Sequence, residues 1–407
     1  MEYFIYKSEE DFVNSQKGIR TDKCDLCGGC CELEESDVYV GIDDIRLQFP
    51  ENLVLKCKIC GKPYMPQRFS HVVYFWYHQT LEHGAKKGEF PRKQYDQRFD
   101  YCNEQGFSYD YRDHLSIPGL CIEEERTDGF LTPVYFYRKA LIFFCADPEY
   151  EVNIFSETYG VIGKKDENGN YEWRIPFGFN CNGKLVFWLG DLATVDTISL
   201  GILKPFNVDS DHKLMDSEFY QAQLNCIFSE PILEKQILIN KKKFISNTLK
   251  TRNIDLGHLL EECLQYEEKA VRPVIFTEPT VSAVVNALHK VLVEGISVDG
   301  LLEYYEALYL PDNRAKGYKE WKSIRLIQEI VKMQCPEIKD IDTLMAPLYL
   351  LNDYRILADH LLDNEKKEST KKHIVECLGV DSFSEQEEIY IKMIKGLNRL
   401  YQVLSVI

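Results

Sequence analysis

The sequence is poor in long apolar runs and in positive charge. No stretch approaches the roughly 20 consecutive apolar residues that cross a bilayer, so we expect no membrane span. The first residues, MEYFIYKSEEDF, lack the apolar segment of a signal peptide, and we expect a cytoplasmic protein. Lys and Arg number 48 against 65 Asp and Glu, a net charge of −17, which argues against broad electrostatic coating of nucleic acid or of an anionic membrane.

Glycine is scarce after residue 244, because 17 of the 23 glycines precede it and six follow. In the glycine-rich part, residues 167–170 predict a hairpin tip, and Asn182-Gly183 precedes a predicted strand at residues 184–189. In the remainder, apolar residues recur at the i, i+3, i+4 spacing of helices. These apolar residues are Val281, Val284, Val285, Leu288 and Leu292; Ile324, Ile327, Ile330 and Val331; and Ile389, Met393, Leu397, Leu400 and Leu404.

The predicted fold is therefore α+β and multidomain. Residues 1–125 form an N-terminal region with a zinc-knuckle module, residues 126–240 a β-rich domain, and residues 241–407 an all-α helical bundle. The lysines at 241–243 are a candidate hinge, although such a charge run is usually a solvated face. The β-rich domain has no Walker-type loop, G-x-G-x-x-G fingerprint or nucleophile–base motif. We interpret it as a sensor or scaffold domain, and its pattern resembles the β-rich N-terminal portions of bacterial defence proteins.

Fourteen cysteines are present, and in a reducing compartment clustered cysteines favour metal over disulfides. Two motifs stand out, C-D-L-C-G at residues 24–28 and C-K-I-C-G at residues 57–61. A C-x2-C turn brings two thiolates onto one ion, and two such turns close a tetrahedral four-sulfur site. Such a site has no open position, so the sequence predicts a structural zinc. The predicted ligands are Cys24, Cys27, Cys57 and Cys60.

Cys30 and Cys31 are alternate ligands. The run C-x2-C-x2-C-C at residues 24–31 resembles a small family of metal- or cluster-binding bacterial proteins, and an iron–sulfur cluster would also use cysteine thiolates. A second metal among three histidines is a weaker hypothesis than ordinary core or surface positions; they are His71, His78 and His83. The other cysteines are predicted to be core residues; they are Cys102, Cys121, Cys145, Cys181, Cys226, Cys263, Cys335 and Cys377.

The apolar segment after Pro347 predicts a helix near the centre of the C-terminal bundle, with Pro347 in its first turn. On a 3.6-residue period Arg355 falls on the same stripe as Leu348 and Leu351. A guanidinium on an apolar stripe is costly unless it is paired with an anion or hydrogen-bonded. The polar residues near it, which could support it, are Asn352, Asp353 and Asp359.

Arg355 and His360 form an Arg-x4-His motif preceded by Asn-Asp in a late helical region. The motif resembles the R-x4-6-H motif of HEPN-domain ribonucleases. Several prokaryotic antiphage and abortive-infection proteins, ApeA-like proteins among them, have such a domain at their C-terminus. The resemblance covers about residues 275–407. It implies metal-independent RNA cleavage, with tRNA as one candidate substrate, by a homodimer or higher homo-oligomer under a phage-derived trigger.

In this resemblance His360 acts in acid–base catalysis and Arg355 binds the scissile phosphate. Four lysines just beyond the motif would suit an RNA backbone, or form an ordinary solvated helix start; they are Lys366, Lys367, Lys371 and Lys372. The alternative hypothesis is a non-catalytic, zinc-containing interaction protein. In it Arg355 and His360 form a buried ion pair with Asp353 or Asp359, and the helical domain only dimerises.

Overall fold

The computed structural model describes residues 1–16, 22–91, 106–115, 129–359, 361 and 363–407. Over these residues the fold is mixed α+β, with sheets in the N-terminal part and helices in the C-terminal part, which confirms the predicted class.

The chain divides into two compact units, residues 1–230 and residues 231–407, where the sequence predicts three regions. The predicted boundary at residue 240 falls inside helix α8 (Leu233–Arg252), so the lysines at 241–243 are helical and the predicted hinge is wrong. Lysine is a good helix former, and Lys241 is buried.

The first sheet of the N-terminal unit has the strand order β1-β2-β3-β4, and β5 pairs with β3 in parallel. Its inner face is apolar, with Val38, Val40 and Ile42 packed in one cluster with Phe12 and Val73 of two helices. The elements of this part are β1 (Glu2–Tyr6), α1 (Glu9–Gln16), β2 (Cys31–Ile42), β3 (Ile45–Cys57), β4 (Pro63–Tyr64), α2 (Gln67–Glu82), β5 (Lys87–Glu89) and α3 (Tyr111–Leu115).

The second sheet of this unit has the order β11-β6-β10-β9-β8-β7. The predicted hairpin tip is confirmed, since Asp166 accepts hydrogen bonds from the Asn168 and Asn170 amides and Gly169 has a φ of +82°. The elements are β6 (Pro133–Tyr137), α4 (Leu141–Ala146), β7 (Tyr150–Ile154), β8 (Tyr159–Lys165), β9 (Tyr171–Phe179), β10 (Lys184–Trp188), α5 (Leu189–Leu192), α6 (Thr197–Leu203), β11 (Asn207–Val208) and α7 (Glu218–Asn225).

The C-terminal unit is helical, and the predicted apolar periods lie in its core. No helix in the described part of the chain has the length and apolar character needed to cross a membrane. After α8 the helices are α9 (Leu260–Lys269), α10 (Glu278–His289), α11 (Val298–Leu308), α12 (Ser323–Gln334), α13 (Ile341–Asp359), α14 (Asn364–Leu378) and α15 (Gln386–Leu404).

Helix α13 is the central helix of this unit and packs against α10, α12, α14 and α15. The sequence predicts Pro347 in the first turn of this helix. That prediction is wrong, because α13 begins at Ile341 and Pro347 lies inside it. Its ring lies against Gly396 of α15, where a Cβ would come within 2.4 Å of the proline Cγ. The missing side chain at Gly396 lets α15 approach the proline closely, which fixes the position of α13.

Candidate functional site

The structure brings together the four cysteines that the sequence predicts as metal ligands. The Sγ atoms of Cys24, Cys27, Cys57 and Cys60 all lie within 4.8 Å of one another. The shortest separations are 3.5 Å between Cys24 and Cys60 and 3.4 Å between Cys27 and Cys57. A tetrahedral zinc with Zn–S bonds of about 2.3 Å has sulfurs about 3.8 Å apart. The cluster could therefore hold a metal ion such as zinc.

The two cysteine motifs fold alike because their sequences are alike. In each, the glycine amide donates to the carbonyl of the first cysteine at 2.9 Å, Gly28 to Cys24 and Gly61 to Cys57. Both glycines have positive φ, +69° and +72°, where a side chain would be strained. The chain can therefore reverse behind each pair of sulfurs.

Backbone and side-chain donors point at the sulfurs. The amide of Leu26 lies 3.4 Å from Cys24 Sγ, and the amide of Ile59 lies 3.4 Å from Cys57 Sγ. The Tyr64 hydroxyl donates to Cys24 Sγ at 3.0 Å and lowers the pKa of that thiol to about 6. Such donors also lower the pKa of Cys57 and so favour the thiolate form that a metal requires, whereas at Cys27 and Cys60 the backbone donors are outweighed by the neighbouring sulfurs and the pKa is raised.

The alternate ligands lie outside this group. Cys31 is 1% exposed and pairs directly with Cys57 between β2 and β3, and burial raises the pKa of its thiol to about 12. The Cys30 side chain is exposed, and the backbone of this residue pairs with that of Lys23 in an isolated antiparallel β-bridge. The geometry therefore selects the two C-x2-C motifs over the C-x2-C-x2-C-C run.

A second group of potential ligands, Glu32, Cys181 and Asp216, also lies within 4.8 Å. Its two carboxylates already share a cation, since Lys58 Nζ is 2.6 Å from an oxygen of each. We interpret this group as an ion-pair network.

The remaining predicted cysteines and histidines have mixed outcomes. Cys102 and Cys121 lie outside the described residues, while Cys263 and Cys335 are buried, as predicted. The core prediction is wrong for four exposed cysteines: Cys181 lies in the turn before β10, Cys226 follows the end of α7, and Cys145 and Cys377 lie on exposed helix positions. No described group of potential ligands includes His71, His78 or His83, and His78 instead lies 3.1 Å from a Glu9 carboxylate oxygen.

Arg355 lies on α13 with a partly buried side chain, and its Nε has no hydrogen-bond partner. Among the described residues it forms no ion pair. Asp353 faces His373 at 3.7 Å, and Asp359 accepts a hydrogen bond from the Asn286 amide at 2.6 Å. Neither of the two carboxylates proposed as its partners therefore forms an ion pair with Arg355.

His360 lies outside the described residues, so its position relative to Arg355 stays a prediction.

The sequence analysis missed His289, the last residue of α10, which is 3% exposed. Burial and the Arg355 charge lower the pKa of this histidine, outweighing Glu294 and Asn352, which raise it. Glu294 Oε1 lies 3.2 Å from its Nδ1. The lowered pKa favours the neutral imidazole form of His289.

A π-helical turn, Lys290–Glu294, follows His289 directly. The amide of Gly295 donates to the Lys290 carbonyl at 2.7 Å, which closes the wider turn. Single π turns are rare in proteins, and those that do occur are often found at functional sites. The only sequence signal for this site is a polar Asn286-x2-His289 pair within an otherwise apolar helical stripe.

The four predicted RNA-binding lysines all lie on α14. Lys366 and Lys367 are in its first turn, where the positive end of the helix dipole makes further positive charge unfavourable. Lys371 and Lys372 line a groove of about 660 Å³ together with Thr277 and residues 381–384. Each also lies near a carboxylate of its own helix: Lys371 Nζ is 3.8 Å from Glu368 Oε1, and Lys372 Nζ is 3.7 Å from Glu376 Oε1.

Comparisons of the chain with protein-family models, with curated proteins and with solved structures each give no match. The function must therefore be inferred from the residues themselves.

Proposed function

We propose that the C-terminal unit is a metal-independent endoribonuclease of the HEPN type, and that the protein is a cytoplasmic antiphage effector. The observation that carries this proposal is Arg355, a partly buried guanidinium that no described carboxylate pairs with. An unpaired cation held in a protein favours an anionic ligand. The scissile phosphate of RNA is such a ligand.

The reaction needs a phosphate-binding cation and groups that move two protons. A base takes the proton of the ribose 2′-OH, the 2′-oxygen attacks phosphorus, and the 5′-oxygen leaves with a proton from an acid. The products are a 2′,3′-cyclic phosphate and a 5′-hydroxyl. Arg355 would stabilise the charge that develops on the phosphate oxygens, and His360 would transfer a proton.

His289 is too deeply buried to contact RNA, so we assign it a positioning role. A neutral imidazole beside Arg355 and Asn352 leaves the guanidinium charge uncompensated and available to the phosphate. Asn352, Asp353 and the neighbouring Asp359 would support the helix end that carries the motif.

Arg355 and His360 are five positions apart in the sequence, a spacing that would correspond to about 140° on a continuous helix. Two such pairs could converge across a two-fold axis, so we propose a homodimer or higher homo-oligomer as the active form. The lysines of α14 would bind the RNA backbone, tRNA is one candidate substrate, and a phage-derived trigger would release activity.

For the N-terminal unit we propose a structural Zn²⁺ held by Cys24, Cys27, Cys57 and Cys60. Four thiolates fill a tetrahedral site, so the metal would hold the two motifs together and take no part in RNA cleavage.

A second candidate function is a zinc-containing interaction protein whose helical unit only mediates dimerisation. It is favoured by the equivalent tips of the two cysteine motifs, where Leu26 and Ile59 are 72% and 73% exposed. Two exposed aliphatic side chains at equivalent positions suit a protein partner.

The test is RNA cleavage by the purified chain without added Mg²⁺, with analysis of the product ends, alongside toxicity and phage protection in cells. Wild type should generate 2′,3′-cyclic phosphate ends, and Arg355→Ala and His360→Ala should lose cleavage and protection together. Arg399→Ala, an exposed arginine on α15, is the matched control. Equal behaviour of wild type and both site variants in every assay would refute the nuclease and leave the interaction protein.

A further inference from the structure

The outward face of the first sheet, opposite the face that packs against α1 and α2, is built from two rows of directly paired residues. The rows cross β1, β2, β3 and β5, so each contains one residue from each strand. The first row is Tyr3, Tyr39, Gln48 and Glu89, and the second row is Ile5, Gly41, Arg46 and Lys87. We call these eight residues the outward face.

The first row exposes aromatic surface. The rings of Tyr3 and Tyr39 stack with centroids 5.2 Å apart and planes 18° apart, and Tyr3 is 62% exposed. Beside them Ile5 is 63% exposed. The solvated side of a sheet is normally polar, so a stacked tyrosine pair on it points to a ligand with a flat apolar surface.

The second row places two cations side by side. Arg46 and Lys87 are paired across β3 and β5, both are exposed, and neither forms an ion pair among the described residues. Like charges directly opposite each other destabilise a sheet. In a chain of net charge −17 an unneutralised pair of this kind points to an anion.

The Arg46 side chain is held in place, because its Nη1 donates to the carbonyls of Asp43 and Ile45 at 2.7 and 2.9 Å. Gly41 separates this guanidinium from Ile5, and a Cβ there would come within 3.0 Å of Ile5 Cδ1. The result is a depression of about 540 Å³ between the aromatic and the cationic side chains.

We propose that the outward face binds single-stranded RNA, with bases stacked on Tyr3 and Tyr39 and phosphates on Arg46 and Lys87. Bases stack on aromatic side chains whatever their identity, and cations along the groove follow the backbone. The Gln48 amide and the Glu89 carboxylate lie beside the tyrosines, where they can hydrogen-bond base edges. This site does not depend on the C-terminal unit cleaving RNA.

The test is fluorescence anisotropy of the full chain with a short labelled oligouridylate carrying 2′-O-methyl groups, which cannot undergo attack by the 2′-oxygen. Binding of this probe therefore reports no cleavage. The double variant Tyr3→Ala/Tyr39→Ala should weaken binding roughly tenfold, as expected for the removal of base stacking. Tyr171→Ala, an exposed tyrosine of the other sheet, should bind as wild type does.

The double variant Arg46→Gln/Lys87→Gln should act differently. It should reduce the salt dependence of log Kd by about 0.7 for each RNA phosphate that the protein no longer neutralises, whereas the tyrosine variant should leave the salt dependence unchanged. All four side chains are solvent-facing, so circular dichroism should show folded variants.

Three outcomes would overturn the proposal. In the first, wild type fails to bind the probe at low salt. In the second, every variant of the outward face binds as wild type does while Lys366→Gln/Lys367→Gln loses binding. In the third, the tyrosine variant changes the mass measured by light scattering without changing RNA affinity, which would identify a protein-binding surface. Loss of RNA cleavage in Arg355→Ala would bear on the proposed nuclease alone.

Discussion

The four-cysteine cluster and the site formed by Arg355 and His289, which we call the arginine site, are assembled in different ways. Four cysteines come from two copies of one five-residue motif, and each copy builds half of the site through its own backbone hydrogen bonds. Arg355 and His289 come from α13 and α10, and only the packing of the helices brings them together. Local chemistry therefore defines the first site, whereas the core of the C-terminal unit defines the second.

The largest effect should follow removal of a cysteine ligand. Structural zinc contributes on the order of 10 kcal/mol to the folding of zinc-finger peptides. Cys57→Ser should abolish bound zinc and unfold the N-terminal unit, whereas Cys30→Ser, outside the four-sulfur group, should retain both. Metal content per chain and thermal melts measure this. Equal zinc content in the two variants would contradict the assignment of Cys57 as a ligand. Visible absorbance from bound iron would show that the site holds an iron–sulfur cluster instead of zinc.

The arginine site should instead be sensitive to helix packing. Gly396→Ala would place a methyl group within 2.4 Å of the Pro347 ring and should destabilise the C-terminal unit by about 1–3 kcal/mol. Gly201→Ala in α6, where a Cβ meets nothing within 4 Å, should be neutral or slightly stabilising. Urea denaturation measures both changes. A harmless Gly396→Ala would mean that α13 is not positioned by this packing.

Arg355→Met should separate stability from activity. Because Arg355 has no described acidic partner, its replacement should change the free energy of unfolding by less than about 1 kcal/mol, whereas breaking a buried ion pair costs about 3–5 kcal/mol. RNA cleavage should be lost. A large decrease of stability in the urea titration would support the ion-pair hypothesis and weaken the nuclease.

The smallest effect should be a pH dependence of stability due to His289. Its folded-state pKa lies below that of the unfolded chain, so the unfolded chain binds more protons as the pH falls below about 6.5. Stability should therefore fall with decreasing pH through that window, by at most about 1.4 kcal/mol per pH unit. His289→Gln should flatten this dependence, and His71→Gln, at an exposed position on α2, should not. An unchanged slope in His289→Gln would exclude a buried neutral imidazole.

Local patterns predicted much of this molecule. The two halves of the four-cysteine cluster, at Cys24 and at Cys57, the hairpin tip at Asp166 and the helical core around Leu397 each follow from a few neighbouring residues. His289 could not be predicted, because its importance depends on Arg355 in another helix. The position of Pro347 was predicted wrongly because the residue that accommodates it, Gly396, is remote in sequence.

The two cysteine motifs bracket β2 and β3, so a metal bound between them would close a loop of the chain around this pair of strands. Closing that loop removes conformational entropy from the unfolded state and so favours the paired strands. Tyr39, Gly41 and Arg46 of the outward face all lie within the loop. A metal held by the four cysteines and a ligand of that face would therefore favour the same pair of strands.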